Sequence, residues 1–264
     1  MGESKRKRQT LTDMLANAKG CIYCAGANTA TTVEHMPPKS IFEGKHRPKG
    51  LEFPACAECN NGTSHSDLVA AMLARLWPNA DTATSKRDIA KILRAVANNV
   101  PAILPEMYVG RAGEKLARKQ RSIPDDAHPL RADGPLLTRH IQTFGAKLGF
   151  ALHYEVTGAW VPAGGGVQVM WFSNVQALNG QMPDSLFAML PEPLTLQQGA
   201  KSVGDQFQYS YAPAEQGHML YFASFSQSFA VAGIAAQDRT IYLDARAPDF
   251  PVFSPGDFQV SITR

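Results

Sequence analysis

The sequence predicts an α+β protein: a small N-terminal module organised around cysteines, then helices, then a C-terminal antiparallel sheet packed with helices. Three observations carry this. All four cysteines fall in two pairs, Cys21-Ile22-Tyr23-Cys24 and Cys56-Ala57-Glu58-Cys59. From Leu68 to Tyr154 apolar residues recur at helical spacing. Beyond that point they come in runs of strand length separated by glycine and polar residues.

In chain order, residues 1–9 carry the basic run Lys5-Arg6-Lys7-Arg8 and are expected to lack fixed structure, with a short helix over Thr10–Ala18. The β-branched stretch Thr29–Val33 predicts a strand that delivers Glu34 and His35 at its end, and Leu51–Phe53 predicts a second. Ser64 and Asp67 precede the apolar run Leu68–Trp77 in the S-x-x-D pattern of a capping box; ligation of an ion is the other reading of that pair. Gly62 argues against a helix continuous from Asn60, and Pro78 ends the helix begun near Ser64. Lys86–Asn98 predicts an amphipathic helix with Ile89, Ile92, Leu93 and Val96 on one face.

Residues 100–134, rich in proline and charge, read as a connector containing a short basic helix. Leu136–Tyr154 predicts a long helix, with Leu137, Ile141, Phe144, Leu148 and Leu152 at helical spacing. Gly164-Gly165-Gly166 lies between Ala159–Val161 and Val167–Phe172 and predicts a hairpin. Phe207–Tyr211, His218–Phe225 and Ser228–Ile234 supply the remaining strands. These elements divide the chain into a basic tail with a short helix (1–17), a cysteine module (18–77), a helical connector (78–134) and an α+β C-terminal domain in which no motif is legible (135–264).

A hydrophobic content of 44% suffices for a core. No run approaches the roughly 18 apolar residues of a membrane span, so no membrane partner is expected. The net charge of +3 hides an asymmetry: residues 1–121 hold 19 Lys+Arg against 11 Asp+Glu, and residues 122–264 hold 7 against 12. The basic half also contains the cysteines. Basic clusters at residues 5–8, 45–49 and 111–121 suit a polyanionic partner, and the alternative is a solvated tail and helix face.

Four thiolates in two CxxC pairs can close a tetrahedral shell around Zn²⁺. Two disulfides are the alternative; with no secretory leader legible, the expected compartment is the reducing cytoplasm, which favours metal. The 31 residues between Cys24 and Cys56 are long for a simple finger, so the metal is expected to close the base of a loop that carries His35.

On Cys21, Cys24, Glu34-His35-Met36-Pro37-Pro38-Lys39-Ser40-Ile41-Phe42 and Cys56-Ala57-Glu58-Cys59-Asn60-Asn61, residues 18–77 resemble the HNH endonucleases, also called ββα-metal nucleases. The resemblance is to the class with two zinc-binding CxxC knuckles. It implies a ββα unit on structural zinc, with His35 as general base and Glu34 and Asn60 as oxygen ligands of a catalytic Mg²⁺ or Mn²⁺. Lys39 and Asn61 become candidates for substrate contact, although a solvated lysine and a turn asparagine are their bland readings. DNA is the implied substrate, with RNA the alternative. Nicking is expected of one site, and double-strand cleavage of a homodimer or a complex with a partner protein. Bacterial proteins of this kind occur in phage, mobile-element and antiphage-defence settings.

The chain departs from the family pattern in two places. Gly50-Leu51 stands where a polar residue usually orients the histidine loop, and Asn60 stands where histidine is common. The remaining histidines lack ligand spacing and read as structural, while His65 is offset from the family position. A reading from a different class is a non-catalytic zinc ribbon that binds nucleic acid or protein, with the Glu34-His35 pair incidental.

Overall fold

The computed structural model describes residues 12–76, 83–120, 129–178, 180–199, 201–213, 217–242 and 250–259. The Lys5–Arg8 run, Pro78, His128 and Arg121 lie outside them. Residues 12–17 are helical (α1) and lead to a 3-10 turn at Ile22–Cys24. Strands β1 (Thr32–His35) and β2 (Glu52–Ala55) pair antiparallel, with His35 opposite Glu52. Helices α2 (Ala57–Gly62) and α3 (Ser64–Arg75) follow, completing a ββα unit.

Helices α4 (Ala83–Asn99), α5 (Ile103–Met107) and α6 (Gly110–Gln120) occupy the connector, and α7 (Pro135–Thr157) is the long helix. The Glu106 carboxylate caps α7 from a distance, accepting from Leu136 N at 3.0 Å and Leu137 N at 2.8 Å. That satisfies two amide groups that a helix start leaves unpaired. The C-terminal half contains β3 (Gly166–Ser173), α8 (Asn174–Leu178), α9 (Asp184–Ala188), β4 (Gln197–Gln198), β5 (Lys201–Ser202), β6 (Phe207–Pro213), β7 (His218–Phe225), β8 (Phe229–Ala236) and β9 (Val252–Phe253). Five of these strands form one antiparallel sheet in the order β6-β7-β8-β3-β9, and α7 packs across it. The α+β architecture is thus the expected one.

Three local expectations are corrected. First, β1 starts at Thr32, because residues 21–28 are used in the cysteine turn, where Cys21 N donates to Asn28 O and Ala27 N to Cys24 O. Second, Ala159–Val161 forms no strand, and β3 pairs instead with β8 and β9. The glycine run serves close approach: a Cβ on Gly165 would lie 2.3 Å from Ala236 O. Third, Ser64 and Asp67 make no capping box. Ser64 Oγ donates to Asn61 O at 2.7 Å, and Asp67 receives Lys147 Nζ at 2.7 Å. The chain passes from α2 to α3 through Thr63, itself in helical conformation, so Gly62 hardly interrupts it. Gly62 is needed because a Cβ there would stand 1.9 Å from Phe258 O.

One cluster of buried residues runs from Cys21 to Phe258, across the boundaries drawn from the sequence at 77/78 and 134/135. Phe258 sits edge-on to both Tyr23, beside the first cysteine pair, and Phe150 of α7. Helix α7 lies so near the sheet that a Cβ on Gly149 would meet Val167 Cγ1 at 2.6 Å. Tyr221 of β7 donates its hydroxyl to Gly145 O at 2.9 Å.

His140 is buried on α7 with its Nδ1 3.1 Å from Ser66 Oγ, and burial pushes its pKa down to about 4. A histidine whose folded value is depressed adds stability that is complete above its unfolded value near 6.5 and is lost as pH falls toward the folded value. His140→Gln should therefore flatten the loss of thermal stability between about pH 6.5 and pH 4 relative to the natural chain. Identical pH profiles for the two proteins would refute this placement of the charge.

Candidate functional site

The four cysteines are buried, and their sulfur atoms all lie within 4.8 Å of one another. Cys56 Sγ receives the amide of Cys59 at 3.4 Å and the side-chain amide of Asn28 at 3.7 Å. The Cys59 contact lowers the Cys21 thiol to about 5, whereas burial raises Cys24 to about 11 and the bond to Cys21 drives Cys59 up. A dication at the centre of the cluster would favour the thiolate form of all four, and Zn–S bonds of about 2.3 Å would place the sulfurs about 3.8 Å apart, compatible with their lying within 4.8 Å of one another. This donor set fits a tetrahedral soft metal ion.

Successive residues of a strand face opposite sides. On β1 this sends Glu34 into the core and His35 outward, to a cleft of about 110 Å³ lined by His35, Lys39, Arg47, Lys49, Glu52 and Gln198. His35 Nε2 lies 3.7 Å from Glu52 Oε1 and is sealed from solvent, while the ring lines the cleft. The exposed Lys39 and Lys49 bring two ammonium groups to the cleft, and Gln198 comes to it from β4 in the C-terminal half.

The loop 36–51 that walls this cleft is organised from inside by Arg47. Its guanidinium donates to the carbonyls of Pro37 (2.7 Å), Pro48 (2.9 Å), Met36 (3.1 Å), Gly50 (2.6 Å) and Leu51 (3.2 Å). Burial lowers its pKa to about 10, opposed by Glu52 and Glu34. The loop is also tied outward: Glu43 N donates to Gln206 Oε1 at 2.7 Å and Gly44 N to Asp88 Oδ2 at 3.3 Å. Arg47 thus organises the loop from within, and Glu52 stands beside the imidazole.

Glu34, 5% exposed, meets Lys147 Nζ of α7 at 3.2 Å, and the same ammonium meets Asp67 Oδ2 of α3 at 2.7 Å. Burial raises the Glu34 carboxyl to about 7 even though Lys147 opposes the rise, and Asp67 adds to it. Asp67 is likewise raised by burial. Burial also disfavours the Lys147 ammonium, but Asp67 and Glu34 outweigh it and hold its pKa above the ordinary value. Asn60 donates its side-chain amide to Thr32 Oγ1 at 3.1 Å, and Asn61 is exposed on α2. The expected divalent ion between Glu34 and Asn60 does not fit this arrangement, because an ammonium group already holds the Glu34 carboxylate inside the core.

Comparison with family models, with curated proteins and with solved structures finds no match. The structure therefore brings together the four cysteines, and His35 with Lys39, but gives Glu34, Asn60 and Asn61 other surroundings. Sequence reading gave no individual role to Arg47, Lys49, Glu52, Gln198 or Lys147, placing Arg47 and Lys49 only in the basic cluster at 45–49, and it read Asp67 as a cap or ion ligand and not as a partner of Lys147. Glu52 also had a local signal, as the residue that strand pairing sets opposite His35.

Arg47→Met should remove its hydrogen bonds to five carbonyls, of which Leu51 O keeps Met36 N as a donor, and lower stability by about 3 kcal/mol or more in urea denaturation. Amide exchange in residues 36–51 should rise with it. Unchanged exchange there would contradict the organising role of Arg47.

Proposed function

We propose that the chain hydrolyses phosphodiester bonds in nucleic acid, DNA in the first instance, as an HNH-type endonuclease built on a structural zinc. The observation that supports this best is His35 on a ββα unit closed by four thiols, facing a cleft with two lysines. The zinc would take Cys21, Cys24, Cys56 and Cys59, and with four thiolates it keeps no open position for substrate.

In this reading the His35 imidazole, with Glu52 beside its Nε2, accepts the proton of the attacking water, and the leaving alkoxide takes its proton from solvent. The Lys39 and Lys49 ammonium groups draw the non-bridging phosphate oxygens into the cleft and offset charge that grows in the transition state. Gln198 offers an amide donor at the rim. No catalytic step is assigned to a divalent ion at Glu34. The excess of basic residues in 1–121 favours a polyanion and should make binding salt-dependent. One such site cuts one strand, so a monomer nicks, and double-strand cleavage needs two copies or a partner.

Incubated with supercoiled plasmid, with and without divalent cation, the natural chain should produce open circles, and His35→Ala should slow this by about 10²–10⁴-fold. Full activity in the His35→Ala protein would refute the role of His35. Absence of cleavage by either protein, with DNA binding retained in both, would favour a zinc-ribbon binding module instead.

A further inference from the structure

We infer that Lys147 is the resident cation of the Glu34–Asp67 carboxylate pair, closing that pair to divalent metal and fixing the strand end that carries His35. The inference stands whether or not the chain cleaves nucleic acid, because its test reads metal binding.

Three elements meet at this ammonium. Glu34 comes from β1, Asp67 from α3 and Lys147 from α7, with N···O distances of 3.2 and 2.7 Å. The Lys147 side chain is fully buried, at 0% exposure, in a helix that is buried from His140 to His153. A metal ion on the Glu34 carboxylate would stand beside this ammonium with no water between them. At about 4 Å two such positive charges repel strongly in any medium less polar than water. Lys147 is fully enclosed where β1, α3 and α7 meet, so its ammonium is held there by the fold.

The composition of the trio says what happens when the lysine is removed. Two acids face one base, and Asp67 Oδ1 has no hydrogen-bond partner. Without Lys147 two buried carboxylates would share one pocket. That is a donor set for a hard divalent cation, which binds carboxylate oxygens in preference to softer donors. The present lysine therefore does from within what a metal ion would do from outside, and Glu34 acts as a positioning residue for His35.

The test uses Mn²⁺ as probe, followed by electron paramagnetic resonance on the full chain. The natural protein and Glu34→Gln should bind Mn²⁺ equally, within about twofold, because Glu34 is no ligand. Lys147→Met should gain a site at least about tenfold tighter, and adding Glu34→Gln to it should remove that site. Mn²⁺ binding by the natural protein that Glu34→Gln abolishes would overturn the inference. If Lys147→Met does not fold, the comparison of the natural protein with Glu34→Gln decides alone.

Discussion

Holding Cys21, Cys24, Cys56 and Cys59 within 4.8 Å ties the two ends of a 31-residue excursion to one point. Everything the excursion carries inherits that constraint. Between the tied ends the chain can place a strand, a loop and a second strand, and it pairs the strands so that His35 faces Glu52. A segment this short could not bury enough apolar surface to hold such a hairpin by itself, and a metal closing its base would supply folding energy. The loop interior needs its own organiser because its carbonyls point inward, and Arg47 meets five of them.

The second constraint is a charge in the core. Lys147 fastens the back of β1 to α3 and α7, while Phe258 inserts between Tyr23 and Phe150 on another side. The N-terminal unit is therefore anchored by apolar packing and by a buried ionic contact to elements far away in sequence. The two faces of β1 divide the labour: the inner face, through Glu34, holds position, and the outer face, through His35, is open to chemistry. A buried ion pair seldom adds net stability over an apolar equivalent, but it is unforgiving of misplacement. Here that selects one register for the strand carrying His35.

What was legible in the sequence follows from the range of the forces involved. The cysteine cluster, α4, α7 and β7 were readable because spacing and periodicity are local properties. The start of β1 was not, since Thr29 and Thr31 carry β-branched side chains like the strand but follow directly on the cysteine turn and lie outside the paired register. Gly164-Gly165-Gly166 looked like the turn of a hairpin; a turn does form, with Gly165 N donating to Pro162 O at 2.8 Å, but no strand precedes it, and Gly165 also permits close contact with Ala236. Ser64 and Asp67 carry the spacing of a cap, which is equally the spacing of one helix face. Lys147 was silent because a lysine in an apolar helix reads as solvated, and its partner Asp67 lies 80 residues away.

X-ray absorption at the zinc edge of the purified protein tests whether the four cysteines hold a metal. One zinc per chain with four sulfur neighbours at about 2.3 Å is the expected result. Nitrogen or oxygen in the inner shell, or a metal-free protein with its cysteines joined as disulfides, would contradict it.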